Sequence, residues 1–431
     1  MKALISTTKK TERVFLIGLE LKSGSSWQVQ ESMEELAELA ATAGGVVAGT
    51  GTQKLETPVA GTFIGSGKAR EFADYCRADN VDTVVFDDEL SPAQSRNLED
   101  VFGCKVLDRT ALILDIFAQR ARTREGKLQV ELAQLQHLLP RLTRFWGHLS
   151  RQSGGIGMRG GEGESQLETD RRRVQERIER LTEDLKAVRR HRATQRTGRQ
   201  RRPWPMASIV GYTNAGKSTL LNALTGAHAL EEDKLFATLD PTTRRLRLPT
   251  NQNLFLTDTV GFIRKLPHGL VEAFKATLEE VAQADLLVHV VDAGHAQAAE
   301  QIAAVNTVLG EIGAAGKPTI MVFNKIDRLG ENNGSLAKFM DQFPASVALS
   351  AKTGEGMAGL IHELGTQLRP SRELVELAVP HNNTAVMARL HEVAQVLERD
   401  YAGESARFKA RLAPNDRDEF AAFIVRPQAA P

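Results

Sequence analysis

An apolar run, Ala207-Ser208-Ile209-Val210, leads directly into Gly211-Tyr212-Thr213-Asn214-Ala215-Gly216-Lys217-Ser218. Helical spacing then continues through Leu220, Leu221 and Leu224. Strand, glycine loop and helix in that order define the phosphate-binding loop of parallel α/β domains. Loop and helix-start N–H groups cradle phosphates, Lys217 reaches the outer ones, and Ser218 offers a hydroxyl to Mg²⁺. This segment implies a nucleoside triphosphate and leaves the base open.

Four later segments supply what a guanine-nucleotide switch requires: Thr238, Asp258-Thr259-Val260-Gly261, Asn324-Lys325-Ile326-Asp327 and Ser350-Ala351-Lys352. Asp258 ends a strand and should reach Mg²⁺ through water. Gly261 can present its N–H to the terminal phosphate. Thr238 is the candidate Mg²⁺ ligand of a mobile loop, Phe236-Ala237-Thr238-Leu239-Asp240, whose residues are counted with the nucleotide site. An Asp327 carboxylate can accept from guanine N1–H and the 2-amino group. Adenine offers neither donor, and the uncompensated carboxylate would cost on the order of several kcal/mol. The backbone of Ser350, Ala351 and Lys352 would donate to guanine O6, with the Lys325 stem over the base. The expected ligands are GTP and GDP, and Lys217, Thr238 and Gly261 are the expected catalytic set.

Many switch GTPases place a water-orienting glutamine directly after the Gly261 position. Phe262 stands there and has no hydrogen-bonding atom, so unassisted hydrolysis should be slow. Asn214 lies where some GTPases hold a K⁺ ion as a transition-state charge. It is the candidate K⁺ ligand, with a hydrogen bond to its own loop as the alternative.

A chain of 431 residues exceeds one ordinary core. Residues 1–116 alternate short apolar runs with helical stretches and read as a small parallel α/β domain. Residues 117–202 carry Leu128, Leu132, Leu135, Leu139 and Leu142, then Val174, Ile178, Leu181, Leu185 and Val188, at heptad-like steps. They predict an antiparallel helical hairpin with Pro140 breaking the first arm and Ser165 capping the second, above Glu168. A tip with six glycines between Gly154 and Gly163 joins the arms. Arg196–Pro205 reads as the linker into a nucleotide domain, 203–370. A final α+β segment, 371–431, is expected to form a strand, a helix over Ala385–Arg399, a strand over Ala406–Leu412 and a last helical turn. The fold class is therefore α/β, a P-loop GTPase domain with three flanking parts.

The net charge of +1 hides a segregation: residues 117–202 hold 21 Lys/Arg against 10 Asp/Glu. A basic middle between acidic flanks points to one polyanion-binding region. Only Cys76 and Cys104 are present, which suits a reducing cytoplasm, and no apolar run is long enough for membrane insertion. A monomer is expected. Gly61-Thr62-Phe63-Ile64-Gly65-Ser66-Gly67-Lys68 misses phosphate-loop spacing, since Thr62 replaces the first glycine, and reads as a tight turn.

Several stretches resemble HflX-type GTPases of the Obg–HflX group: Phe86–Pro92, Leu107–Phe117, Lys127–Leu135, Gly154–Arg173, Phe236–Thr242 and Asp258–Ile263. Phe262 fits that pattern. The resemblance implies a translational GTPase that binds the 50S ribosomal subunit and separates stalled or idle ribosomes under stress. Its rRNA contact would fall at the tip, through Arg159, Gly160 and Gly161. Here the usual glycine run is interrupted by Glu162 and Glu164. A signalling GTPase whose hairpin regulates a protease or membrane protein is the alternative.

Overall fold

The computed structural model describes residues 11–22, 26–144, 162–199, 204–226, 235–249, 252–265, 278, 280–329, 334–368, 373–401, 403, 405–412 and 414–425. It divides into two compact units. One holds Met1–His191 with Glu232–Asp240 and Arg264–Ala276, and the other holds the remainder.

In the N-terminal unit, strands β1 (Arg13–Leu21), β2 (Val46–Leu55), β3 (Thr83–Phe86) and β4 (Lys105–Asp108) form one parallel sheet in the order β2-β1-β3-β4. All four β3 residues are buried, as befits an inner strand of a sheet covered on both faces. Helices α1 (Ser26–Ala43), α2 (Ser66–Ala78), α3 (Pro92–Phe102) and α4 (Arg109–Arg120) supply the cover. α3 starts on a reciprocal capping box between Ser91 and Gln94, with Pro92 in the first turn. Arg109 is fully buried against Asp87 (Nη1–Oδ1 2.7 Å) and Glu35. Asp87 also accepts the Ser32 hydroxyl at 2.6 Å and Lys265 Nζ at 2.5 Å. A buried cation is tolerable only with such partners.

The first hairpin arm, α5 (Arg124–Leu138), gives way to a 3₁₀ stretch, Leu139–Arg144, around Pro140. The second arm, α6 (Glu162–Arg199), meets it through the Arg177–Glu131 ion pair at 2.7 Å. Two expectations are corrected. Ser165 lies inside α6, whose described span already includes Glu162, so it does not mark the start of that helix. Arg196–Arg199 continues that helix before the linker begins. Arg159, Gly160 and Gly161 lie outside the described residues.

The second unit is built on six strands: β5 (Met206–Gly211), β6 (Thr242–Arg247), β7 (Asn253–Asp258), β8 (Leu286–Asp292), β9 (Thr319–Asn324) and β10 (Ser346–Ala348). Their order is β10-β9-β8-β5-β7-β6, with only β6 antiparallel. Helices α7 (Lys217–Thr225), α8 (Ala298–Glu311), α9 (Gly334–Gln342) and α10 (Met357–Gln367) follow strands of this sheet. The phosphate loop therefore leaves the C-terminal end of a central strand, where open α/β sheets bind ligands.

The chain ends in β11 (Glu373–Pro380), α11 (Thr384–Val393), β12 (Gln395–Asp400), β13 (Ser405–Leu412), α12 (Pro414–Phe420) and β14 (Ile424–Val425). The antiparallel order is β12-β13-β11-β14. The expected helix over Ala385–Arg399 is corrected here. It stops at Val393, and the next residues pair with β13, because Val396 and Leu397 fit either periodicity and tertiary pairing decides. Among the described residues no helix is long and apolar enough to cross a membrane.

Candidate functional site

The glycine loop has the backbone its sequence demands. Gly211 (φ 149°) and Gly216 (φ 95°) lie in territory that side chains rarely enter. A Cβ on Gly211 would strike the Val290 carbonyl, and one on Gly216 would strike Asn324 Nδ2. Asn214 adopts φ 59°, which Asn tolerates better than most residues, and its side chain is exposed. Ala215 is buried beneath the loop. Tyr212 pairs with Phe262 in a parallel bridge, with Thr213 N–H donating to Phe262 carbonyl at 2.7 Å. Phe262 is itself buried, so it serves as a clip between two loops.

Lys217 is buried, and its ammonium donates to the carbonyls of Tyr212 (2.7 Å) and Gly211 (3.1 Å). Burial pushes its pKa down to about 8, with Asp258 opposing the shift. Ser218 Oγ donates to Asp258 Oδ2 at 2.7 Å. A hydroxyl and a carboxylate converging beside a cationic phosphate anchor form the hard oxygen set that Mg²⁺ prefers. The Gly261 position lies against this cluster: a Cβ there would stand 2.8 Å from Thr213 Cγ2 and 3.0 Å from Lys217 Nζ. Thr213 Oγ1 is buried without a hydrogen-bond partner. Thr259, counted with the ligand-binding residues, donates to Ile209 carbonyl at 2.7 Å inside the protein, and Val260 is buried beside it.

Asn324 joins the two halves of the site. Its Nδ2 donates to Ala215 carbonyl at 2.8 Å, and its Oδ1 accepts from Ala351 N–H at 2.9 Å. Lys325, at φ 65°, donates to Asn214 carbonyl at 2.7 Å and pairs with Asp292 at 2.8 Å. Asp292 was missed in the sequence. It closes the β8 strand in the run Val290-Val291-Asp292, a strand-terminal acid that would have flagged it. Asp327 follows in a 3₁₀ turn with Ile326 and accepts the Ser350 hydroxyl at 2.6 Å. That bond holds its carboxyl below the usual range, so it stays an acceptor. Lys352 is exposed at the same loop.

The structure thus brings Gly211–Ser218, Asp258–Gly261, Asn324–Asp327 and Ser350–Lys352 into one unit. Phe236, Ala237, Thr238, Leu239 and Asp240 belong to the other. There Phe236 meets Phe117 edge-on, and Asp240 is bound by the start of α5.

Comparison with known proteins agrees with this geometry. Residues 30–118 match the family described as GTP-binding GTPase N-terminal, 120–199 the GTP-binding GTPase Middle Region, and 206–325 the 50S ribosome-binding GTPase. The GTPase HflX of Caldanaerobacter subterraneus is 46% identical over 419 residues, covering 96% of this chain and 94% of its own. That of Lacrimispora saccharolytica is 47% identical, with 93% of each chain covered. That of Escherichia coli K12 is 48% identical, with 87% of each covered. The chain belongs to the HflX family of GTPases, which bind GTP and hydrolyse it.

Proposed function

We propose that this GTPase is a monomeric cytoplasmic factor that binds the 50S ribosomal subunit and separates stalled or idle 70S ribosomes under stress. The observation that carries this reading is the segregated charge: 21 basic against 10 acidic residues in the hairpin region, in an otherwise acidic chain. Ribosomal RNA is the polyanion such a region fits. Arg159, Gly160 and Gly161 at the tip would approach rRNA phosphates, so affinity should fall as salt rises.

At the nucleotide, Lys217 and the loop N–H groups hold the phosphates. Ser218 and Thr238 would ligate Mg²⁺ directly, with Asp258 oriented by Ser218 to hold its water. When bound, Mg²⁺ neutralises charge on the outer phosphates. Gly261 admits the terminal phosphate, and Asn214, which is exposed, would take K⁺. Phe262 is buried and cannot orient the attacking water, so turnover is slow alone and faster on large subunits. Asp327, oriented by Ser350, reads guanine.

Co-sedimentation with 50S and 70S particles tests the ribosomal reading. The protein should pellet with 50S in the presence of a non-hydrolysable GTP analogue, less so with GDP, and progressively less as salt rises. Failure to pellet under any nucleotide would leave a protein-regulating GTPase as the surviving reading. For the base, Asp327→Asn should lose GTP and gain xanthosine triphosphate by about 100-fold in relative affinity. A variant still preferring GTP would remove Asp327 from base recognition.

A further inference from the structure

Residues 235–240 stand within the sequence of the nucleotide domain yet pack as part of the N-terminal unit. Two of them are fastened there. The buried Phe236 ring meets Phe117 of α4 at 4.7 Å between centroids. Asp240 is gripped at the start of α5. Its Oδ2 accepts from the N–H groups of Arg122 (2.8 Å) and Thr123 (2.9 Å), and its Oδ1 accepts the Thr123 hydroxyl. Thr123 Oγ1 in turn accepts from Gly126 N–H at 3.0 Å and caps the helix. Gly126 leaves the space, since a Cβ there would collide with Asp240 Oδ1.

Ordinary helix capping does not account for this arrangement. Thr123 already caps α5, so the helix start is satisfied without Asp240. What Asp240 adds is a full negative charge at the positive end of α5, delivered from 117 residues away in the chain. Thr238 lies midway between the two fastened residues.

We propose that Asp240 is the positioning residue of the threonine loop, tying Thr238 to the first turn of the hairpin so that both respond to nucleotide together. The inference rests on the reading of Thr238 as the Mg²⁺-binding switch threonine. Only the triphosphate state uses that threonine. A partner gripping the hairpin would therefore alter GTP handling and leave GDP binding alone, and by linkage GTP would alter the hairpin.

Hydrogen exchange on the full chain, with GDP or a non-hydrolysable GTP analogue, reads this out. In the wild type, amides of residues 235–240 and of the first α5 turn should change protection together. In Asp240→Ala and in Thr123→Val the loop should still respond while α5 does not, and Thr123→Ser should restore the link. The double variant should lose no more than Asp240→Ala alone, because that change already removes every bond at this contact. Turnover at saturating GTP should fall about tenfold in Thr123→Val, with GDP affinity held within about twofold. Nucleotide-dependent protection of α5 persisting in Asp240→Ala would overturn the proposal. So would equal losses of GTP-analogue and GDP affinity in Thr123→Val. A wild-type loop that responds while α5 does not sinks the link but leaves Thr238 in its role; a loop indifferent to nucleotide sinks both.

Discussion

The N-terminal sheet and the nucleotide-domain sheet differ most in the loops that lead from their strands into helices. In the N-terminal sheet the starts of α3 and α4 carry side-chain caps, while α2 starts at Gly65 without one. Asp108 accepts from Ala111 N–H at the head of α4, and Ser91 and Gln94 close the head of α3. Gln53 Oε1 takes the Gly65 N–H before α2. In the nucleotide domain α7 begins at Gly216 with no side-chain cap. The same unsatisfied donors exist at every helix N-terminus, and α2 and α8 also start without a side-chain cap; what sets α7 apart is the glycine loop before it and the buried lysine in its first turn. The lysines follow suit. Lys217 is buried and aimed into its loop, whereas Lys68 pairs with Glu71 at 2.6 Å over the Phe72 ring. Gly61–Lys68, despite its glycines, runs from a turn into the start of α2 with its lysine paired away.

The largest test removes each lysine in turn. Lys217→Ala should weaken GTP binding by about 100-fold or more, because a charge aimed at phosphates in a dry site has no substitute. Lys68→Ala should leave it unchanged. Titration with a fluorescent guanine nucleotide compares them, and a large loss from Lys68→Ala would mean the N-terminal turn takes part in nucleotide binding.

Glycines sharpen the contrast at smaller amplitude. Gly216→Ala forces a side chain to φ 95° and against Asn324 Nδ2, breaking the clamp on Ala215. It should cost about 2–4 kcal/mol in urea unfolding of the nucleotide domain. Gly67 lies in the first turn of α2 with no atom near its absent Cβ. Gly67→Ala should stabilise by about 0.5–1 kcal/mol. Equal effects at the two sites would erase the distinction between a built anion loop and a turn.

Legibility in the sequence follows the same division. Gly211–Ser218, Asp258 and Asn324–Asp327 could be picked out because nucleotide chemistry fixes residue type and spacing locally, and the structure brings them into one unit. The N-terminal parallel sheet was readable from strands alternating with helices, and the nucleotide domain from its motifs. The fastening of Asp240 to Thr123, and of Lys265 to Asp87, was not. Each joins residues more than a hundred positions apart, and an acid or lysine in a loop carries no local mark of its partner. Residues 395–400 misled for another reason: an edge strand with Val396 and Leu397 side by side has no strict alternation, so the helical period won on paper.

The smallest expected effect is a fraction of a proton. Lys217 in the free protein has its pKa pushed down to about 8 from an ordinary 10.5, because burial disfavours its charge. The sign follows from where protons bind. Between about pH 8 and 10.5 the unfolded chain holds more protons than the folded one, so this lysine's contribution to stability rises with pH across that window. Below pH 8 both states are protonated and the cost of burying the charge is fully present. Phosphates arriving beside the ammonium restore its ordinary pKa, so GTP binding must draw in a proton wherever the free lysine is partly neutral. Calorimetry at pH 8.5 in two buffers of different ionisation heat should show uptake of about 0.8 proton, falling towards zero near pH 7. The uptake should vanish in Lys217→Gln and persist in Lys68→Gln. No buffer dependence at pH 8.5 in the wild type would mean that the ammonium keeps its charge in the free loop, and that the loop is wetter than its burial implies.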